Sequence, residues 1–104
     1  MIKNTLTGRQ KGFLRSMGMT LDPVVHIGKE EVSPTVVMAA SEALKKRELI
    51  KVRVLQTCVD EPKDAGKIIT VLAERCNANL VQVIGRNGLL FRRNFDKPRI
   101  ELPK

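Results

Sequence analysis

The chain contains no tryptophan and no tyrosine, and its only aromatic residues are Phe13, Phe91 and Phe95. Such scarcity argues against an RNA-recognition-motif surface, which stacks bases on exposed aromatic rings. Cysteine and histidine are equally sparse. A structural zinc site takes four ligands, and Cys58, Cys76 and His26 fall short of that number. Both cysteines are expected to be reduced thiols, Cys76 on an apolar helix face, and no metal or other cofactor is expected. Long apolar runs are also missing, so no segment is expected to span a bilayer. The basic start, MIKNTLTGRQK, is not followed by the apolar block of a signal peptide, which makes the cytoplasm the expected compartment.

Signatures of catalysis are missing as well. There is no P-loop and no GxGxxG after a strand. Nucleophilic catalysis needs a nucleophile beside a base, and His26, inside a short apolar stretch, reads as a partly buried structural imidazole. Glu30 and Glu31 read as a solvated loop rather than an acid/base pair. The expectation is a non-enzyme with no small-molecule substrate.

Acidic residues are the last shortage, and they define what is present. Nineteen Lys and Arg face eleven Asp and Glu, a formal net charge of +8 with a pI near 10.0. A small domain this basic is a candidate polyanion binder, because phosphate contacts release condensed counterions. Surplus lysine can also serve solubility alone, so clustering decides. With 104 residues the chain is read as one domain, expected to be a monomer.

Residues 7–19, TGRQKGFLRSMGM, read as a helix opened by a Thr7/Gln10 capping box, with Leu6, Phe13, Leu14 and Met17 on its apolar side. Arg9, Lys11 and Arg15 make it basic, and no acid precedes Asp22. VVHIG, 24–28, reads as a short strand. Ser33 as N-cap and Pro34 at the first position start a second helix running to about Arg47, its last turn carrying Lys45 and Lys46. LIKVRVLQT, 49–57, alternates as a half-buried strand. A third helix covers roughly 62–76, and LVQVIG and LLFRR follow as two strands. Residues 97–104, KPRIELPK, read as a basic tail in which RIEL can add an edge strand. The order α-β-α-β-α-β-β predicts an α/β sandwich, a mixed four-stranded sheet covered by helices.

Two stretches invite comparison with the GXXG loop that clamps a nucleic-acid backbone. GRNG, 85–88, lies between two apolar strands, and its Asn-Gly pair is a strong type I′ hairpin signal. It is therefore read as a turn, from whose tip Arg86 can touch RNA. The second stretch, HIGKEEVSP, places Gly28 and Lys29 just ahead of a helix N-terminus, where backbone N–H groups attract phosphate. Glu30 and Glu31 oppose an anion there, so residue chemistry alone leaves the loop open.

LTGRQKGFLRSM, DPVVHIGKEEVSP, RELIKVRVL and LVQVIGRNGLLFRR, in that order and spacing, resemble the CRM domain family (chloroplast RNA splicing and ribosome maturation), most closely its bacterial stand-alone YhbY-like members. The resemblance implies a non-catalytic RNA-binding domain of α-β-α-β-α-β-β form, similar to the C-terminal domain of translation initiation factor 3. It also implies association with precursors of the large ribosomal subunit and its rRNA. The family's GXXG loop follows the first strand and falls on Gly28 to Glu31, with Glu31 in place of the second glycine. Arg92 falls where the family often has an arginine after an aromatic residue. The expected RNA-binding set is Gly28, Lys29, Arg9, Lys11, Arg15, Lys45, Lys46, Arg86 and Arg92. An architectural binder of duplex DNA and a ribosome-associated adaptor that docks acidic proteins are the alternatives.

Overall fold

The computed structural model describes residues 5–29, 31–56 and 61–104. Cys58 and Glu30 lie outside them. Three helices and four strands follow the predicted order: α1 (Gly8–Gly18), β1 (Pro23–Ile27), α2 (Pro34–Arg47), β2 (Leu49–Val54), α3 (Pro62–Arg75), β3 (Asn79–Ile84) and β4 (Asn87–Phe91). Side-chain caps explain the starts of α1 and α2. Thr7 accepts from the Gln10 N–H while the Gln10 side chain accepts from the Thr7 N–H, and Ser33 accepts from the Val36 N–H.

The sheet order is β1-β2-β4-β3. β1 and β2 are parallel because α2 carries the chain back between them; β2–β4 and β4–β3 are antiparallel. On one face α2 and α3 bury the main core, in which Ile27, Leu44, Val52, Val54, Ile69, Leu72 and Leu90 are wholly or almost wholly enclosed. Cys76 closes α3 and is buried there, its Sγ 3.7 Å from the Val37 carbonyl oxygen. Burial pushes its thiol pKa up against the nearby Arg92 charge, so it stays a thiol. On the other face Leu14 of α1 covers Leu49, Val81, Leu89 and Phe91. Gly18 makes that approach possible: a Cβ there would lie 2.3 Å from Leu89 Cδ1.

Four expectations need correction. The hairpin turns two residues earlier than the Asn-Gly signal indicates. Ile84 pairs with Asn87, so Gly85 and Arg86 form the tip, and φ is +57° at Gly85. A positive φ at the first central residue is the type II′ pattern. Asn87 and Gly88 already belong to β4, where Gly88 admits α3: a Cβ would meet Ile69 Cγ2 at 2.6 Å. His26 is exposed, because Val25 and Ile27 take the inward positions of β1. Phe13 is 39% exposed rather than in the core, since Leu14 alone is the fully buried large side chain of α1.

The fourth correction concerns the end of the chain. Residues 97–104 form no strand and are not a free tail. Ile100 and Leu102 pack into the core beneath α1, and Gln10 donates to the Pro103 carbonyl at 3.0 Å. The anchor is Glu48, fully buried just after α2. Its carboxylate accepts from the N–H groups of Asn94 (2.7 Å), Arg99 (2.6 Å) and Ile100 (2.8 Å), and pairs with the Arg93 guanidinium at 3.1 Å.

Candidate nucleic-acid interface

α1 and the C-terminal segment cover only half of their side of the sheet. Over the other half the register aligns His26, Arg53, Asn87 and Ile84 in one row across all four strands. Beside it lies a second row with Lys51, Leu89 and Gln82. Arg53, His26 and Ile84 are exposed, and Lys51 is half-buried. A cavity of about 260 Å³ opens where α1 ends on this face, lined by Gly18, Met19, Lys51, Gln82, Ile84 and Asn87 among others. None of the four strands contains an acidic residue. Among the described residues, the side chains of Lys51 and Arg53 take part in no ion pair or hydrogen bond, so their charges are available to a ligand.

The rim of this surface is built from loops at one end of the sheet. Leu55 N–H donates to the Ile27 carbonyl and Val54 N–H to the Arg86 carbonyl, each at 2.8 Å. Gly28-Lys29 and the Arg86 tip therefore stand at the same end, with Lys29 exposed. The Gly28 loop closes as a turn, Glu31 N–H donating to the Gly28 carbonyl at 2.9 Å. Glu31, where the resemblance puts a second glycine, has φ +54°. Gly28 itself needs no glycine for shape: its φ is not positive, and a Cβ would touch only Leu55 Cδ1, at 4.0 Å.

The expected residue set does not form one site. Gly28, Lys29 and Arg86 share the rim. Arg15 and Arg9 are exposed on α1, Arg9 in its first turn, and Lys11 is half-buried one turn before Leu14. Lys45 and Lys46 are at the other pole, since α2 has 14 residues and rises about 1.5 Å per residue, roughly 20 Å in all. Arg92 is turned inward, contrary to expectation. Its guanidinium donates to the Cys76 carbonyl (2.8 Å), the Ser41 carbonyl (2.9 Å) and Ser41 Oγ (3.1 Å). It clasps α2 to the end of α3, and those nitrogens are committed. Lys51, Arg53 and His26 were not in the expected set. The alternation of LIKVRV did signal two of them, because basic residues fill the face of β2 opposite Ile50, Val52 and Val54.

Comparison with known proteins adds to this geometry. The protein named "Probable RNA-binding protein YqeI" from Bacillus subtilis is 40% identical over 98 residues, covering 94% of this chain and 99% of its own. An "RNA-binding protein" of Haemophilus influenzae is 32% identical over 100 residues, covering 96% and 97%. The solution structure of a hypothetical protein from Staphylococcus aureus superposes with a TM-score of 0.77 at 38% identity, covering 95% of this chain and all of the other. The model of the CRS1/YhbY (CRM) domain matches residues 6–92, from just ahead of α1 to the end of β4, and the chain belongs to that family.

Proposed function

We propose that this protein binds RNA, without catalysing a reaction on it, through the uncovered half of the sheet and its loop rim. The observation that carries the reading is the acid-free sheet surface with His26 and Arg53 in one row and Lys51 in the next, with Lys29 and Arg86 at its rim and Arg15 on the flanking helix. Cations at this density attract phosphates, and a groove without exposed aromatic rings recognises backbone and shape more than base identity. The names of the relatives support RNA as the polyanion. The family's character supports a finer reading: a cytoplasmic factor that associates with precursors of the large ribosomal subunit and assists their assembly.

The double variant Lys51→Ala/Arg53→Ala is expected to weaken binding to a structured rRNA fragment and to lower the slope of log affinity against log salt by about two, near one per lost phosphate contact. An unchanged slope removes the sheet from the interface. Tighter binding to duplex DNA than to structured RNA at equal salt overturns the choice of RNA. For the finer reading, the protein is expected to co-sediment with particles slightly lighter than the mature large subunit at low salt and to leave them as salt rises. A signal confined to the top of the gradient at both salts counts against ribosome assembly.

A further inference from the structure

Phe95 is 69% exposed, while Phe91 is fully buried and Phe13 is partly covered. It stands on a loop held at both ends and in the middle. Asn94 and Arg99 N–H groups donate to the two oxygens of the buried Glu48 carboxylate. Within the loop, Asn94 Oδ1 accepts from the Asp96 and Lys97 N–H groups, both at 3.1 Å, and Asn94 Nδ2 donates to the Lys45 carbonyl at 3.0 Å. A large apolar ring is thus displayed to solvent on a tethered loop, with little ordering left to lose on binding.

The surroundings are basic. The Asn94–Lys45 bond sets the loop against the last turn of α2, which carries Lys45, Lys46 and Arg47. Lys97 and Arg99 lie on the loop itself, and Asp96 is its one acid. Phe95 and Arg99 also line a wide surface cavity of about 700 Å³ together with Gln10, Arg93, Ile100 and Glu101. The cores of protein–protein interfaces are depleted in charge, whereas an aromatic platform among cations suits single-stranded nucleic acid: the ring takes a base and the cations take the flanking phosphates.

We propose that Phe95 is a stacking site for an unpaired nucleobase of RNA, with Lys45, Lys46 and Lys97 holding the adjacent phosphates, at the pole opposite the Lys29 loop. Phe95 and Lys97 lie beyond residue 92, where the family match ends. It rests on the RNA-binding reading and adds to it a second contact of different chemistry, one that selects unpaired strands.

The chain has no tryptophan, so Phe95→Trp installs a single indole at the platform. A single-stranded RNA oligonucleotide of mixed sequence is expected to quench that indole at concentrations where anisotropy of the labelled RNA reports binding. Phe95→Ala is expected to weaken the same RNA about tenfold, without changing the salt slope and without changing affinity for a fully paired RNA duplex. An indole that stays unquenched while the RNA is bound overturns the proposal and leaves the ring to a protein partner; so does an equal loss on single-stranded and duplex RNA. In either case retained binding that still depends on Lys51 and Arg53 leaves the sheet interface standing. If the wild-type protein binds neither RNA, both readings fall together.

Discussion

Two glutamates flank α2, and both hold the backbone at a positive φ that L side chains disfavour: Glu31 at +54° before it and Glu48 at +64° after it. Their side chains have opposite fates. Glu48 is wholly enclosed, with three backbone N–H donors and Arg93 on its carboxylate, its own N–H on the Leu44 carbonyl and its carbonyl accepting from the Arg92 N–H. Glu31 is exposed, and among the described residues nothing hydrogen-bonds or ion-pairs with its carboxylate. At Glu48 the strain is held by a network that fastens the C-terminal segment to the junction of α2 and β2. At Glu31 the strain has no such return within the fold, and it falls on the loop facing the proposed RNA.

The contrast breaks most visibly at Glu48. Glu48→Gln keeps the volume but turns an acceptor for three backbone donors into a group that is half donor, and it leaves Arg93 without its counter-charge. Breaking a buried ion pair from one side costs about 3–5 kcal/mol, so the urea midpoint is expected to fall steeply, and the C-terminal amides of Arg99 and Ile100 to lose protection from hydrogen exchange. A midpoint within error of wild type would falsify the anchoring role.

The same residue gives stability a pH dependence. Burial opposes the Glu48 charge, but the Asn94, Arg99 and Ile100 N–H groups and Arg93 together outweigh it, and the folded pKa lies below the usual carboxylate value. The unfolded chain then binds the proton more readily than the folded one. The contribution is complete above the unfolded pKa, about 4.3, and is lost as pH falls through the lower folded value. The stability gap between wild type and Glu48→Gln is therefore expected to be constant from pH 7 to about 5.5 and to narrow below about pH 4. A gap that widens on acidification reverses the sign and refutes this account.

The sequence made much of the frame legible. Capping at Thr7 and Ser33, the alternation of LIKVRV and the periodicity of α3 placed the elements in order, because each is a local property of a dozen residues. What stayed hidden depends on partners distant in the chain. Glu48 reads as an ordinary helix-end acid until residues about fifty positions downstream surround it. Arg92 and Arg93 look alike, yet both are drawn inward by groups on α2, α3 and the C-terminal segment. Gly85-Arg86 and Asn87-Gly88 can each supply a turn, and the closeness of Ile69 at Gly88 gives that glycine a role in packing instead. The uncovered half of the sheet is likewise invisible locally, since it is defined by where α1 stops and not by what β2 contains.

Glu31 gives the smallest effect and the sharpest comparison. Glycine adopts φ near +54° without the Cβ penalty of an L residue, while its freer unfolded chain offsets part of the gain, so Glu31→Gly is expected to stabilise the fold by about 0.5–1 kcal/mol. The same change removes a negative charge two residues from Lys29. If the loop meets phosphate, affinity for structured RNA rises a few-fold at low salt, and the gain shrinks as salt screens the loop. Glu31→Gln separates the two contributions, since it removes the charge and keeps the Cβ: it is expected to reproduce the affinity gain without the stability gain. Equal affinities for wild type, Glu31→Gln and Glu31→Gly would place the RNA on the strands alone, leaving the Gly28 loop as a connection between β1 and α2 whose positive φ is a structural burden without a counterpart in binding.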